Sequence, residues 1–285
     1  MGAAIARRLL STEHDVAVWN RTPHKAQQVA ELGARVVATP RDLAAAADVV
    51  ITMLTDAAAI DATYDGPDGL LSADVRGKLF IEMSTVRPEV ERSLAASVRA
   101  KGGALVECPV GGTVVPAEQG KLFGFAGAEA ADFERAKPVL EQLCRRIEHV
   151  GPVGAGASMK LAINLPLLVY WQALGEALSL CRSLDIDPNR LMDIFADTSG
   201  GPNVLRARGG AIAASLKGEA SGPVMFDVDL VRKDLATMID EARAQGLSMP
   251  LTQRTLEVFD TLAVQGGGGA DATTLPARWL GFAKR

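Results

Sequence analysis

The sequence predicts an α/β protein, a doubly wound and mostly parallel sheet followed by an all-helical C-terminal domain, on three observations. Short β-rich runs alternate with helical patterns through the first 150 or so residues, the order that gives a parallel sheet covered on both faces. Strand signal then stops at about Gly156, and apolar residues recur only at helical spacing. At 285 residues the chain also exceeds the usual size of one domain.

The run Gly151-Pro152-Val153-Gly154-Ala155-Gly156 marks the joint. We therefore expect an α/β domain over 1–152 and an all-helical domain over 153–285. In the first domain helices are expected at Ala3–Leu10, Lys25–Leu32, Pro40–Ala47, Pro88–Lys101 and Ala130–Leu143. Strands are expected at Val16–Trp19, Val36–Val37, Val49–Leu54, Lys78–Met83, Ala104–Cys108 and Phe123–Ala126. The second domain reads as helices at Met159–Leu184, Pro188–Ala196, Val228–Gln245 and Thr252–Leu262, with a glycine loop at Gly266–Gly269.

Composition removes several classes. A net charge of −4 with no Lys/Arg-rich run offers no footprint for nucleic acid or an anionic membrane. Cys108, Cys144 and Cys181 are isolated, as are His14, His24 and His149, so neither a metal site nor a Ser-His-Asp triad is expected. Unpaired cysteines suit a reducing compartment, and a cytoplasmic protein is expected. Arg7 and Arg8 interrupt any N-terminal apolar run, against a signal peptide. The most apolar stretch, Leu161–Leu174, is shorter than the ~20 residues of a membrane span and reads as a buried helix.

A dinucleotide site has the order strand, glycine-rich turn, helix, strand, then a ribose-facing residue about 20 positions on. The separation of Gly2 from Asn20-Arg21-Thr22 fits the last glycine of such a turn followed by the end of strand two. An acid there would take the ribose hydroxyls; Arg21 instead offers a fork for a 2′-phosphate, with neutral donors at Asn20 and Thr22. NADP is expected, with NAD as the alternative. Read singly, Gly2 is equally an ordinary helix start and Arg21 a solvated loop residue.

Three later segments carry candidate chemistry. Ser84-Thr85 ends a strand, where open α/β sheets gather ligands, or it caps the helix that follows. Pro109-Val110-Gly111-Gly112-Thr113 leaves bare backbone N–H groups that suit a carboxylate, or is a tight turn. In Gly154-x-Gly156-x-x-x-Lys160-x-x-x-Asn164, Lys160 and Asn164 are four apart and share one face of an otherwise apolar helix. A lysine there is used chemically, or it snorkels to solvent.

Taken in order with Lys233-Asp234, these segments resemble the β-hydroxyacid dehydrogenases over essentially the whole chain, and the lysine segment is the most specific part. The resemblance implies a Rossmann domain and a helical domain, a hydride transfer between NAD(P) and a small 3-hydroxy acid or its semialdehyde, and a homodimer or homotetramer. It implies Lys160 as acid/base and Asn164 as orienter of the reacting oxygen. Gly2, Asn20, Arg21, Thr22, Met53, Leu54, Thr85 and Lys233 would hold cofactor, and Ser84, Gly111, Gly112 and Thr113 substrate. Asp271 would be structural. Burial beside a cationic ring would bring the Lys160 ammonium toward neutral pKa.

Two departures stand out. The sequence opens at the Met-Gly of the family's Gly-x-Gly-x-x-Gly, so a sheet lacking the first strand and an incomplete pyrophosphate turn are expected. The substrate loop has Gly111 for the family's serine and Thr113 for its last glycine, so the substrate is expected to differ. Imine reductases of similar architecture carry Asp or Tyr where Lys160 stands. A non-catalytic cofactor-binding relative would have little reason to keep Lys160, Asn164 and Lys233 together.

Overall fold

The computed structural model describes residues 1–282 and divides into two compact units, Met1–Leu161 and Ala162 onward. In the first unit the order is α1 (Gly2–Ser11), β1 (Ala17–Val18), α2 (Pro23–Ala30), β2 (Arg35–Val36), α3 (Pro40–Ala46), β3 (Val49–Thr52), α4 (Ala57–Tyr64), β4 (Leu79–Glu82), α5 (Pro88–Ala100), β5 (Ala104–Glu107), β6 (Val110–Gly111), α6 (Val114–Glu118), β7 (Leu122–Gly127), α7 (Ala130–Leu143) and β8 (Cys144–Gly151). Proline opens α2, α3 and α5, where its fixed φ suits a helix and its missing N–H costs nothing.

Strands β4 and β5 are buried at every position, as strands covered on both faces must be. Their side chains divide with period two. Leu79, Ile81, Ala104 and Val106 join a core that includes Ile5, Leu140 and Leu143, while Phe80 and Leu105 join Tyr64, Leu94 and Val98 on the other face. Burial of these aliphatic and aromatic groups, worth about 1.5–3 kcal/mol each, is what fixes the sheet between its helices.

The topology is more mixed than a wholly parallel sheet. β3, β4 and β5 run parallel in register, Glu82 beside Glu107, but β7 meets both β5 and β6 antiparallel and then pairs with β8 in parallel. β1 and β2 form a separate parallel pair. The usual doubly wound order has one more strand between such a pair and β3, and the described residues contain none.

The second unit is helical. α8 (Ala155–Leu180) begins before its boundary, followed by α9 (Pro188–Ala196), α10 (Asn203–Lys217), α11 (Val228–Ala244), α12 (Pro250–Leu262) and α13 (Leu275–Phe282). α11 buries Val228, Val231, Leu235, Met238, Ile239 and Ala242, a 3.6-residue stripe. The helix expected at Met159–Leu184 is α8, which starts at Ala155 and ends at Leu180; its 26 residues are long and apolar enough by length and composition to cross a membrane. Pro166 sits inside it without ending it. Half of its most apolar window is buried within the protein.

Candidate active site

Of the residues expected around the cofactor, Asn20, Arg21, Thr22, Met53, Leu54 and Thr85 follow the carboxyl ends of β1, β3 and β4, Gly2 opens α1 and Lys233 lies in α11. Just past β1, Asn20 Oδ1 accepts the Thr22 N–H at 2.8 Å. This closes a turn that leaves the intervening Arg21 exposed. Thr22 is the N-cap of α2, although its side chain makes no capping bond. Gly2 starts α1, exposed and with no side-chain cap on the helix's first amides, and a Cβ at Gly2 would come 3.9 Å from Met53 Cβ. Met53 and Leu54 follow β3 and are half-buried. Open helix amides, an exposed guanidinium and no carboxylate among Asn20, Arg21 and Thr22 suit a phosphorylated dinucleotide. NAD(P) therefore fits the residues present.

Ser84 is 1% exposed. Its Oγ accepts the Leu54 N–H at 2.7 Å and its N–H donates to Glu82 Oε1 at 2.7 Å. It thereby ties the end of β3 to that of β4. Neither Ser84 nor Thr85 caps the following helix, whose N-cap is Arg87. Gly111 lies in β6; Gly112, at φ +121°, takes a backbone conformation open to glycine and strained for other residues. Thr113 is the N-cap of α6 without a capping bond from its hydroxyl.

Lys160 and Asn164 occupy successive turns of α8 and are 9% and 8% exposed. Lys160 therefore does not extend along the helix to solvent. Asn164 Nδ2 donates to Asp234 Oδ2 at 3.2 Å, and the neighbouring Lys233 Nζ pairs with Asp234 Oδ1 at 2.7 Å. One buried carboxylate thus orients the Asn164 amide and holds the Lys233 ammonium. Asp234 was visible in sequence only as the second half of the Lys233-Asp234 pair. Nothing there linked it to Asn164, which lies 70 positions away.

Two buried groups escaped the sequence reading. Glu107, ending β5, accepts N–H bonds from Gly154 at 2.5 Å, Gly156 at 2.9 Å and Ala157 at 3.2 Å. Burial pushes its carboxyl up to about 7 against the opposing pull of those amides and Arg92. Glu91, on α5, is held well above the usual carboxylate range, first by burial and then by Glu82 and Glu107. A glutamate ending a strand or riding a charged helix is too ordinary a pattern to signal either role.

Among known families, residues 1–151 match the profile described as the NAD binding domain of 6-phosphogluconate dehydrogenase. Residues 154–279 match that of the NAD-binding region of NADP-dependent 3-hydroxyisobutyrate dehydrogenase. The chain is 36% identical over 265 residues to 3-hydroxyisobutyrate dehydrogenase of Pseudomonas aeruginosa, covering 91% of this chain and 88% of that one. It is 31% identical over 272 residues to glyoxylate/succinic semialdehyde reductase 1 of Arabidopsis thaliana, covering 95% and 92%. The solved structure of Psf3 with NADP+ and 2-OPP superposes with a TM-score of 0.84 at 27% identity, over 99% of this chain and 96% of that one. With both profiles in order along one chain and a relative above 30% identity over most of its length, the protein belongs to the β-hydroxyacid dehydrogenase family, the NAD(P)-dependent oxidoreductases that act on CH–OH groups.

Proposed function

We propose that the protein interconverts a small 3-hydroxy acid and the corresponding semialdehyde with NADP, with Lys160 as the proton-transferring residue. The observation that carries this reading is Lys160 itself, a lysine 9% exposed on the second turn of α8. Burying an ammonium is costly unless it is paired or used, and the names of the relatives supply the chemistry in which it is used.

Bound NADP would supply the hydride acceptor, or as NADPH the donor. Lys160 Nζ takes the hydroxyl proton during oxidation and returns one to the developing alkoxide during reduction. Asn164, its amide oriented by Asp234, aligns the reacting oxygen. Met53, Leu54, Thr85 and Lys233 are assigned to the cofactor with Gly2, Asn20, Arg21 and Thr22, the last three favouring NADP. Ser84, Gly111, Gly112 and Thr113 are assigned to substrate. With Gly111 and Thr113 in the substrate loop, the acid bound there differs in shape from 3-hydroxyisobutyrate. Residues 1–152 carry the cofactor residues other than Lys233, together with the substrate loop, and residues 153–285 carry Lys160, Asn164 and Lys233.

The test is Lys160→Ala, assayed with NADPH and a panel of short semialdehydes. Turnover should fall by about 10²–10⁴-fold while NADPH affinity, measured by fluorescence, stays within a few-fold. Near-normal turnover with cofactor bound would remove Lys160 from the chemistry.

A further inference from the structure

The loop that leads into α8 is fastened by a buried glutamate. Glu107 ends β5, and its two carboxylate oxygens take the amides of Gly154, Gly156 and Ala157. These are the residues that enter and open the helix carrying Lys160. A slot is built for the carboxylate. A Cβ at Gly127, on β7, would strike Glu107 Oε1, and one at Gly156 would strike the Phe125 carbonyl and come 3.3 Å from the Glu107 carboxyl carbon. Gly154 stands at φ +101° with the Arg92 guanidinium packed against the space its side chain would occupy. Glycines at these positions let three elements close on one carboxylate, and an anion at a helix N-terminus meets both free N–H groups and the positive end of the dipole.

We propose that Glu107 is a positioning residue for the reaction, a clasp that sets the first turn of α8 and with it Lys160 one turn further on. The proposal rests on the reading of Lys160 as the acid/base. Ionised, Glu107 accepts three charge-assisted bonds from the amides; protonated, it gives up acceptor strength on the oxygen that carries the proton. The groups facing it are Arg92 and Glu91 from α5, Glu82 from the neighbouring β4 and Cys108 beside it on the chain. Burial brings its proton into the neutral range, to about 7, so the clasp tightens and slackens across physiological pH. Displacements of ~1 Å at a catalytic group cost up to about 100-fold in rate, so the slackened form should turn over slowly.

Glu107→Gln keeps the shape and removes the charge. In the full-length protein, kcat for semialdehyde reduction should fall ~10- to 100-fold with KM for NADPH within about twofold of wild type. The wild-type rate should fall as pH drops through about 7, and this acid limb should vanish in the variant. A structural glutamate would lower stability without moving that limb. In the wild-type protein labelled with ¹⁵N-glycine and loaded with NADP, the Gly154 and Gly156 amide shifts should titrate together between about pH 6 and 8, a readout that needs no variant and decides the matter if Glu107→Gln fails to fold. Amides that do not move over that range, or a folded variant with wild-type kcat and an unchanged acid limb, would overturn the clasp. If the amides titrate while Lys160→Ala stays active, the clasp stands as a conformational device and it is the acid/base reading that falls.

Discussion

At the scale of single residues, the buried carboxylates show how one chemical group is used in opposite ways. Glu82 is fully buried but partnered, by Thr52 Oγ1, the Ser84 amide and its own turn. Glu91 is equally buried, yet neither of its oxygens has a hydrogen-bond partner among the described residues. Burial therefore keeps Glu91 protonated, well above its ordinary value of 4.5. The sign of the consequence follows from proton counting. Above pH 4.5 the unfolded chain releases the proton that the folded chain retains, so stability declines as pH rises toward the folded pKa. Glu91→Met, close in volume and apolar, should raise stability at pH 8 by about 1–3 kcal/mol, and by less at pH 5. Urea unfolding at the two pH values checks this; a variant less stable at both would mean that the carboxyl has a partner worth more than its burial costs.

At the scale of elements, legibility tracked how much of the signal was local. β4 and β5 were readable because both faces are covered, so Leu79–Ile81 and Ala104–Val106 are unbroken apolar runs. β8 was not, since Cys144–Gly151 carries Arg145, Arg146, Glu148 and His149 and, among the described residues, pairs with β7 alone. α10 was hidden by Gly209 and Gly210, which depress helix propensity although Gly209 packs against Met192 on the adjoining α9. The Lys160–Asn164 spacing was legible because a helix converts it into one face. The Glu107 clasp was not, because its partners are backbone amides 47–50 positions away. Asp271 shows the same non-local joining within the second unit. It is 4% exposed and accepts bonds from Arg208 at 2.7 Å, the Met225 amide at 2.7 Å and Thr273 Oγ1 at 2.6 Å. Burial raises its carboxyl, but the Thr273, Met225 and Arg208 bonds outweigh this and hold it below 3.8. Its stabilisation is therefore present at neutral pH and lost as pH falls through that lowered value. Asp271→Ala should cost about 1–3 kcal/mol in urea unfolding at pH 7, because it leaves the half-buried Arg208 guanidinium, the Met225 and Thr273 amides and the Thr273 hydroxyl without their acceptor. A loss below about 1 kcal/mol would show that water replaces the carboxylate there.

At the scale of the whole molecule, electrostatics must be local to serve the cofactor. A chain of net charge −4 does not draw a polyanionic dinucleotide by its overall field, so, on the proposed assignment of Arg21 to the cofactor, selectivity between NADPH and NADH would rest with the groups at the end of β1. There the Asn20–Thr22 turn presents Arg21 to solvent with neutral residues on either side of it in the sequence, and a guanidinium fork is the side chain best matched to a 2′-phosphate. Ligand binding to the folded state raises apparent stability by mass action, about 2.7 kcal/mol at a hundredfold excess over Kd. NADPH should accordingly raise the melting temperature more than NADH at equal concentration, read on the transition of the unit spanning Met1–Leu161, since the two compact units need not melt together. Arg21→Glu replaces the phosphate fork with a carboxylate that repels it, and should weaken NADPH binding at least ~10-fold, about 1.4 kcal/mol, so that the order of the two shifts inverts. Equal shifts from both nucleotides in the wild-type protein would mean that Arg21 does not discriminate between them.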